Sequence, residues 1–129
     1  MMRAPDMRRT TAPHPHCLAA TVLALATLSA AAETTWTVVG RQGLMQVVIV
    51  PREQATDLAA YRAQVPKLCA PDTTCFINFF TNSTGAELAL PLPDAIAAEA
   101  TARFRRSTKN GVEVFQWSCR MGPGTPDCF

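Results

Sequence analysis

An uncharged, Ala-rich run from Cys17 to Ala32 follows a basic opening segment, and this pairing limits what the rest of the chain can become. Arg3, Arg8 and Arg9 stand against one acid, Asp6, ahead of the run. Ala30 and Ala32 close it with the small residues that a signal peptidase needs. The pattern predicts a cleavable leader over residues 1–32, cut after Ala32, or after Ala31 if Ser29 and Ala31 are read instead. A membrane anchor would need about 20 strongly apolar residues, and this stretch is shorter and only mildly apolar. A lipoprotein would place its cysteine at the end of the run, whereas Cys17 opens it. Arg8 and Arg9 suggest twin-arginine export, yet Thr10, Thr11 and Ala12 are not the apolar residues that should follow. The general secretory route is the better match. Of 129 residues, 97 remain to fold as one small domain, 33–129.

Removing the leader changes three inventories at once. Three of the 12 Lys and Arg and one of the 10 acids leave with it, so the remainder carries nine of each and is formally neutral. A neutral domain has no long-range pull on a polyanion, and no nucleic-acid reader motif is present, so no nucleic-acid partner is expected. Both histidines, His14 and His16, fall in the leader. Without imidazole, a Ser-His-Asp triad, a Cys-His pair and a His-ligated metal are all excluded from the remainder. Four of the five cysteines remain: Cys69, Cys75, Cys119 and Cys128. An even count in an exported domain this small reads as two disulfides. No Cys-x-x-Cys pair supports zinc or a redox motif, and no cofactor is expected. Three pairings are open; local closure, Cys69 with Cys75 and Cys119 with Cys128, is preferred.

Periodicity then orders the domain. Thr34–Val39 has strand composition with Trp36 and Val38 on one face, and Gly40–Gly43 forms a turn. Leu44–Val50 is nearly all apolar and β-branched, the pattern of a strand covered on both faces. Leu58, Tyr61, Val65 and Leu68 recur at helical spacing, predicting a helix from about Glu53 that Pro66 stops or kinks; Gln64 falls off its stripe. Thr74–Phe80 is a strand, followed by an irregular stretch with an Asn82-Ser83-Thr84 sequon. Asp94 suits an N-cap, Ile96, Ala100 and Phe104 make a stripe, and Glu99 with Arg103 forms an i, i+4 pair, predicting a helix over 95–106. Val112–Cys119 is the last strand. The predicted order is strand, strand, helix, strand, helix, strand, an α/β (α+β) two-layer sandwich with both helices on one small sheet.

Arg103, Arg105, Arg106 and Lys109 crowd four cations into seven residues around Phe104. On a helix C-terminus they would answer the dipole; as a binding patch they would face an acidic envelope or secreted partner. The aromatics on strands, Trp36, Phe76, Phe79, Phe80, Phe115 and Trp117, read as core. Asp57, Asp94, Glu99 and Glu113 are the carboxylates a small hydrolase could use, but no spacing sets two of them face to face. No catalytic residue is assigned. Exclusion therefore favours a non-enzymatic periplasmic or secreted binding or accessory domain, such as an envelope inhibitor or interaction factor, over a carboxylate hydrolase or a structural envelope component. Cys75-Phe-Ile-Asn-Phe-Phe80, Trp117-Ser-Cys119 and the closing Cys128-Phe129 resemble a pattern of small exported bacterial proteins of unassigned function. The resemblance spans about the last sixty residues and implies a bacterial envelope setting, with no activity, ligand or site.

Overall fold

The computed structural model describes residues 11, 12 and 34–129; the predicted leader, apart from residues 11 and 12, and its predicted cleavage point lie outside the described residues. Five strands, β1 (Thr37–Gln42), β2 (Met45–Ile49), β3 (Cys75–Phe80), β4 (Ala100–Ser107) and β5 (Val112–Trp117), form one sheet in the order β1-β2-β3-β4-β5. Two helices, α1 (Leu58–Leu68) and α2 (Asp94–Ala97), pack on it. All neighbours are antiparallel except β2 and β3, which are parallel because α1 carries the chain back across the sheet. Two disulfides, Cys69–Cys75 and Cys119–Cys128, take the local pairing. Among the described residues no helix is long and apolar enough to cross a membrane.

The α1 side of the sheet holds the main core. Ile77 and Phe79 on β3, Ala102 and Phe104 on β4, and Phe115 and Trp117 on β5 share this face by strand alternation. Tyr61 of α1 is fully buried among them. Its ring meets Trp36, Phe79, Phe115 and Trp117 edge-on at 4.9, 5.1, 5.3 and 5.2 Å, the arrangement that aromatic quadrupoles favour. The Tyr61 hydroxyl lies 2.8 Å from both the Ala55 carbonyl, to which it donates, and Thr101 Oγ1. Burial, opposed by the Thr101 hydrogen bond and the Arg120 charge, pushes this phenol up to about 12. The unfolded phenol ionises near 10, so the folded state holds its proton where the unfolded state has lost it. Stability from this group is complete below pH 10 and is lost as pH rises through 12, by up to about 2–3 kcal/mol. Because the chain has a single tyrosine, phenolate absorbance reports it alone. A titration midpoint near 10 in the folded protein would contradict the burial.

The second helix is far shorter than the predicted 95–106: α2 ends at Ala97 and β4 begins at Ala100. The spacing of Ile96, Ala100 and Phe104 by four satisfies a two-residue period as well as a helical one. The alternation Ala102-Arg103-Phe104-Arg105 decides for the strand, because β3 and β5 flank it and take up both edges. The sheet thus has five strands where four were predicted. Asp94 is inside α2 rather than capping it; Pro93 holds the cap position with no side-chain bond. The predicted Glu99–Arg103 pair is replaced by two others. Glu99 accepts from the Ser83 hydroxyl and N–H, and Arg103 donates to Gln116.

Smaller differences follow the same logic. Gly40–Gln42 continue β1, and the turn falls at Gly43–Leu44, where Gly43 supplies φ +62°. A short 3-10 turn at Arg52–Gln54 precedes α1, which Asp57 caps by accepting from the Ala59 and Ala60 amides. Pro66 does not stop α1, which runs on to Leu68 with Pro66 on its exposed side. Gln64 is buried, not on the solvent side: its amide accepts from the Trp36 N–H and donates to the Thr34 carbonyl, both at 3.0 Å. That clamp seats Trp36 in the core just before β1.

Candidate functional site

Strand alternation puts a different set of side chains on the second face of the sheet. One row across it is Val47, Asn78, Arg103 and Gln116; the next is Met45, Phe76, Arg105 and Val114. Toward β1 this face is covered. Leu90, in the 81–93 loop, packs so closely on Gly40 that a Cβ there would meet its Cδ1 at 2.6 Å, and Val47 is buried. Toward β5 it is open, with Val112 and Val114 46% and 38% exposed.

Arg103 and Arg105 occupy this face two residues apart, without a carboxylate partner among the described residues. The two are held differently. Arg105 donates to the Ile77 and Phe104 carbonyls at 3.0 and 2.9 Å and to Asn78 Oδ1 at 2.8 Å. Its guanidinium lies 5.7 Å from the centre of the Phe76 ring. Burial first, and then the nearby Arg103 charge, push its pKa down. Arg103 is fixed by one bond, Nε to Gln116 Oε1 at 2.9 Å, and by stacking 4.4 Å above the Phe129 ring. Both terminal nitrogens of Arg103 are left unengaged among the described residues, forming the end-on fork that suits a carboxylate or phosphate. Gln116 and Phe129 hold the fork in place, so little side-chain entropy is lost when an anion meets it.

The other two predicted cations lie elsewhere. Arg106 is on the α1 side, paired with Glu113 at 3.2 Å and donating to the Ala70 carbonyl. Lys109 sits in the exposed Thr108–Gly111 turn. The four cations are therefore not one helical patch: a strand divides them between two faces and a turn. Asn78, Gln116, Phe76 and Phe129, which complete the Arg103 and Arg105 environment, were not singled out as site residues. The two-residue alternation through 102–105 was the sequence signal that could have found them.

The carboxylates are spread over separate elements. Asp57 caps α1. The bonds from Ser83 hold the Glu99 carboxyl below the ordinary range. Asp94 is exposed on α2. A recess of about 340 Å³ has both Asp72 and Glu113 on its rim, but both are solvent-exposed and Glu113 is paired to Arg106. A general acid needs a desolvated carboxyl, and neither residue is one. Among the described residues, no cluster of three metal-ligating side chains occurs. The sequon asparagine is engaged: Asn82 donates to the Ala86 carbonyl and accepts from its N–H, closing the loop. No family model, curated protein or solved structure matches this chain.

Proposed function

We propose that this protein is an exported, non-enzymatic binding domain that captures an acidic group of a partner protein on the open half of its second sheet face. One observation carries the reading. Arg103 and Arg105 share that face with no carboxylate partner among the described residues, and Arg103 presents a preformed, unengaged fork. Two neighbouring guanidiniums repel each other, and a bound anion relieves that repulsion. Export is supported by the basic and apolar leader pattern and by cysteines placed for pairing, since disulfides persist in oxidising compartments. Periplasmic or secreted placement is part of the same reading, and a role as an inhibitor or accessory factor is the form that capture of an acidic partner would take there.

The test is titration of the processed domain with an oligo-aspartate at low salt. Arg103→Gln is expected to weaken binding about three- to tenfold, the range for a charge-assisted contact that is partly exposed. The melting temperature should move by less than about 10 °C, because Arg103 makes one partly exposed hydrogen bond, to the neutral Gln116 amide, and one exposed ring stack, together worth about 1 kcal/mol. Lys109→Gln, off this face, is expected to change neither. Equal affinity of Arg103→Gln and wild type would end the proposal.

A further inference from the structure

β5 is an edge strand, and it is unlike the opposite edge. β1 carries a bulge between Val38 and Gly40 and closely approaches Leu90, both devices that blunt an edge. β5 pairs with β4 in unbroken register, and its sequence is Val-Glu-Val-Phe-Gln-Trp, with no proline. Two hydrogen bonds fix which of its backbone groups face outward. The Ser118 N–H donates inward to Thr101, whereas the Trp117 carbonyl accepts from Phe129, outside the sheet. Along an antiparallel strand the lateral direction alternates. The N–H and C=O of Glu113 and Phe115 therefore point outward, unpaired among the described residues.

Phe129 already occupies the place of a next strand at one end of this edge. Its N–H donates to Trp117 and its carbonyl accepts from Cys119, at 3.2 and 2.9 Å. Its ring, in that position, touches the Arg103 guanidinium. A chain lying outside β5 is thus within reach of Arg103. We infer that the Val112–Gln116 edge binds an extended acidic segment of a partner protein by strand addition, with the segment's carboxylate on the Arg103 fork.

The side chains define the segment. Residues beside Val112, Val114 and Gln116 share their face, so an antiparallel strand would read acid-x-apolar-x-apolar, with its acid beside Gln116. A second copy of this chain fits poorly. Pairing β5 with itself would bring only Val112, Val114 and Gln116 to this face, because Glu113 lies on the other, leaving Arg103 without a carboxylate. The inference rests on the anion reading above and adds the backbone mode by which the ligand is held.

The probe is a blocked seven-residue peptide with Asp at its second position, Val at its fourth and sixth, and Ser elsewhere. In the antiparallel register its third and fifth residues oppose Phe115 and Glu113, so their N–H groups face the edge while the fourth points to solvent. Binding is expected to slow amide exchange at Glu113 and Phe115. N-methylation of the third or fifth residue is expected to weaken binding about tenfold, and of the fourth far less. Asp→Asn in the peptide, or Arg103→Gln in the protein, is expected to weaken it several-fold. Binding indifferent to N-methylation would overturn strand addition while leaving the anion reading in place. Sensitivity to N-methylation with equal affinity for the Asp and Asn peptides would overturn the acidic specificity and the anion reading with it. Glu113 and Phe115 amides already protected in a peptide-free dimer would show that a second copy takes the edge, and would overturn the inference.

Discussion

Reduction of both disulfides is expected to lower the melting temperature of the domain formed by residues 34–129 by about 20–40 °C. The Cys69–Cys75 and Cys119–Cys128 bridges span 6 and 9 residues. The loop-entropy relation assigns each about 2–3 kcal/mol, and a domain of this size shifts about 4–8 °C per kcal/mol. The combined effect rivals the whole stability of a small domain, about 5–10 kcal/mol. The two bridges are not equivalent. Cys69 and Cys75 are buried in the core, and the Gln46 amide, which donates to the Leu68 carbonyl, sits against Cys75 Sγ. Replacing this pair by alanine therefore adds lost packing to the lost constraint. Cys119 is exposed and Cys128 only half-buried, so their replacement should cost little packing beyond the constraint and the exposed contacts that dock Phe129 on the β5 edge. Differential scanning calorimetry with and without reductant measures the sum, and the two double-alanine variants apportion it. A reduced protein melting within a few degrees of the oxidised one would refute the assignment.

Tyr61→Ala is expected to cost about 3–5 kcal/mol, about half of the stability of a domain this size. Four aromatic side chains lean on this one ring. Trp36 comes from before β1, Phe79 from β3, and Phe115 and Trp117 from β5, so the cavity would open where four segments meet. No single neighbour can close it, because each is anchored elsewhere. Trp36 donates its ring N–H to Gln54 Oε1 at 2.8 Å, and Phe79 and Trp117 are set by the sheet register. Tyr61→Phe separates packing from polarity. It keeps every ring contact and removes the hydroxyl, leaving the Ala55 carbonyl without its donor, for about 1–2 kcal/mol. It should also abolish the loss of stability between pH 10 and 12. Urea denaturation followed by tryptophan fluorescence measures both variants. An alanine variant as stable as the phenylalanine one would show that the ring is not the keystone described.

Legibility followed the kind of signal. The α1 stripe could be read because Leu58, Tyr61 and Leu68 repeat at a spacing that no strand satisfies. β2 could be read because five covered residues in a row leave few alternatives. The 95–106 segment was misread because positions four apart satisfy both periods, and alanine-rich sequence tips the balance toward a helix. That error also hid the site. On a helix the four cations would share a terminus, while on a strand Arg103 and Arg105 turn one way and Arg106 the other. Gln64 and Gln116 were unreadable for a different reason: an amide gives no periodic signal, and its role depends on which backbone or guanidinium arrives beside it.

The amino-acid sequence alone determined the inventory. It supplied a leader pattern, four cysteines at spacings that close short loops, a histidine-free domain, and enough apolar periodicity for a two-layer α+β sandwich. Those properties are local or compositional, so no partner from elsewhere in the chain is needed to express them. The tertiary structure alone decided that β4 is a strand between β3 and β5, because pairing on both edges outweighs a helical preference of a few tenths of a kcal/mol per residue. It also decided which cations meet. Whether Arg103 has a stacked ring, a positioning amide and an open fork depends on Phe129 and Gln116, which reach it only once the sheet has formed.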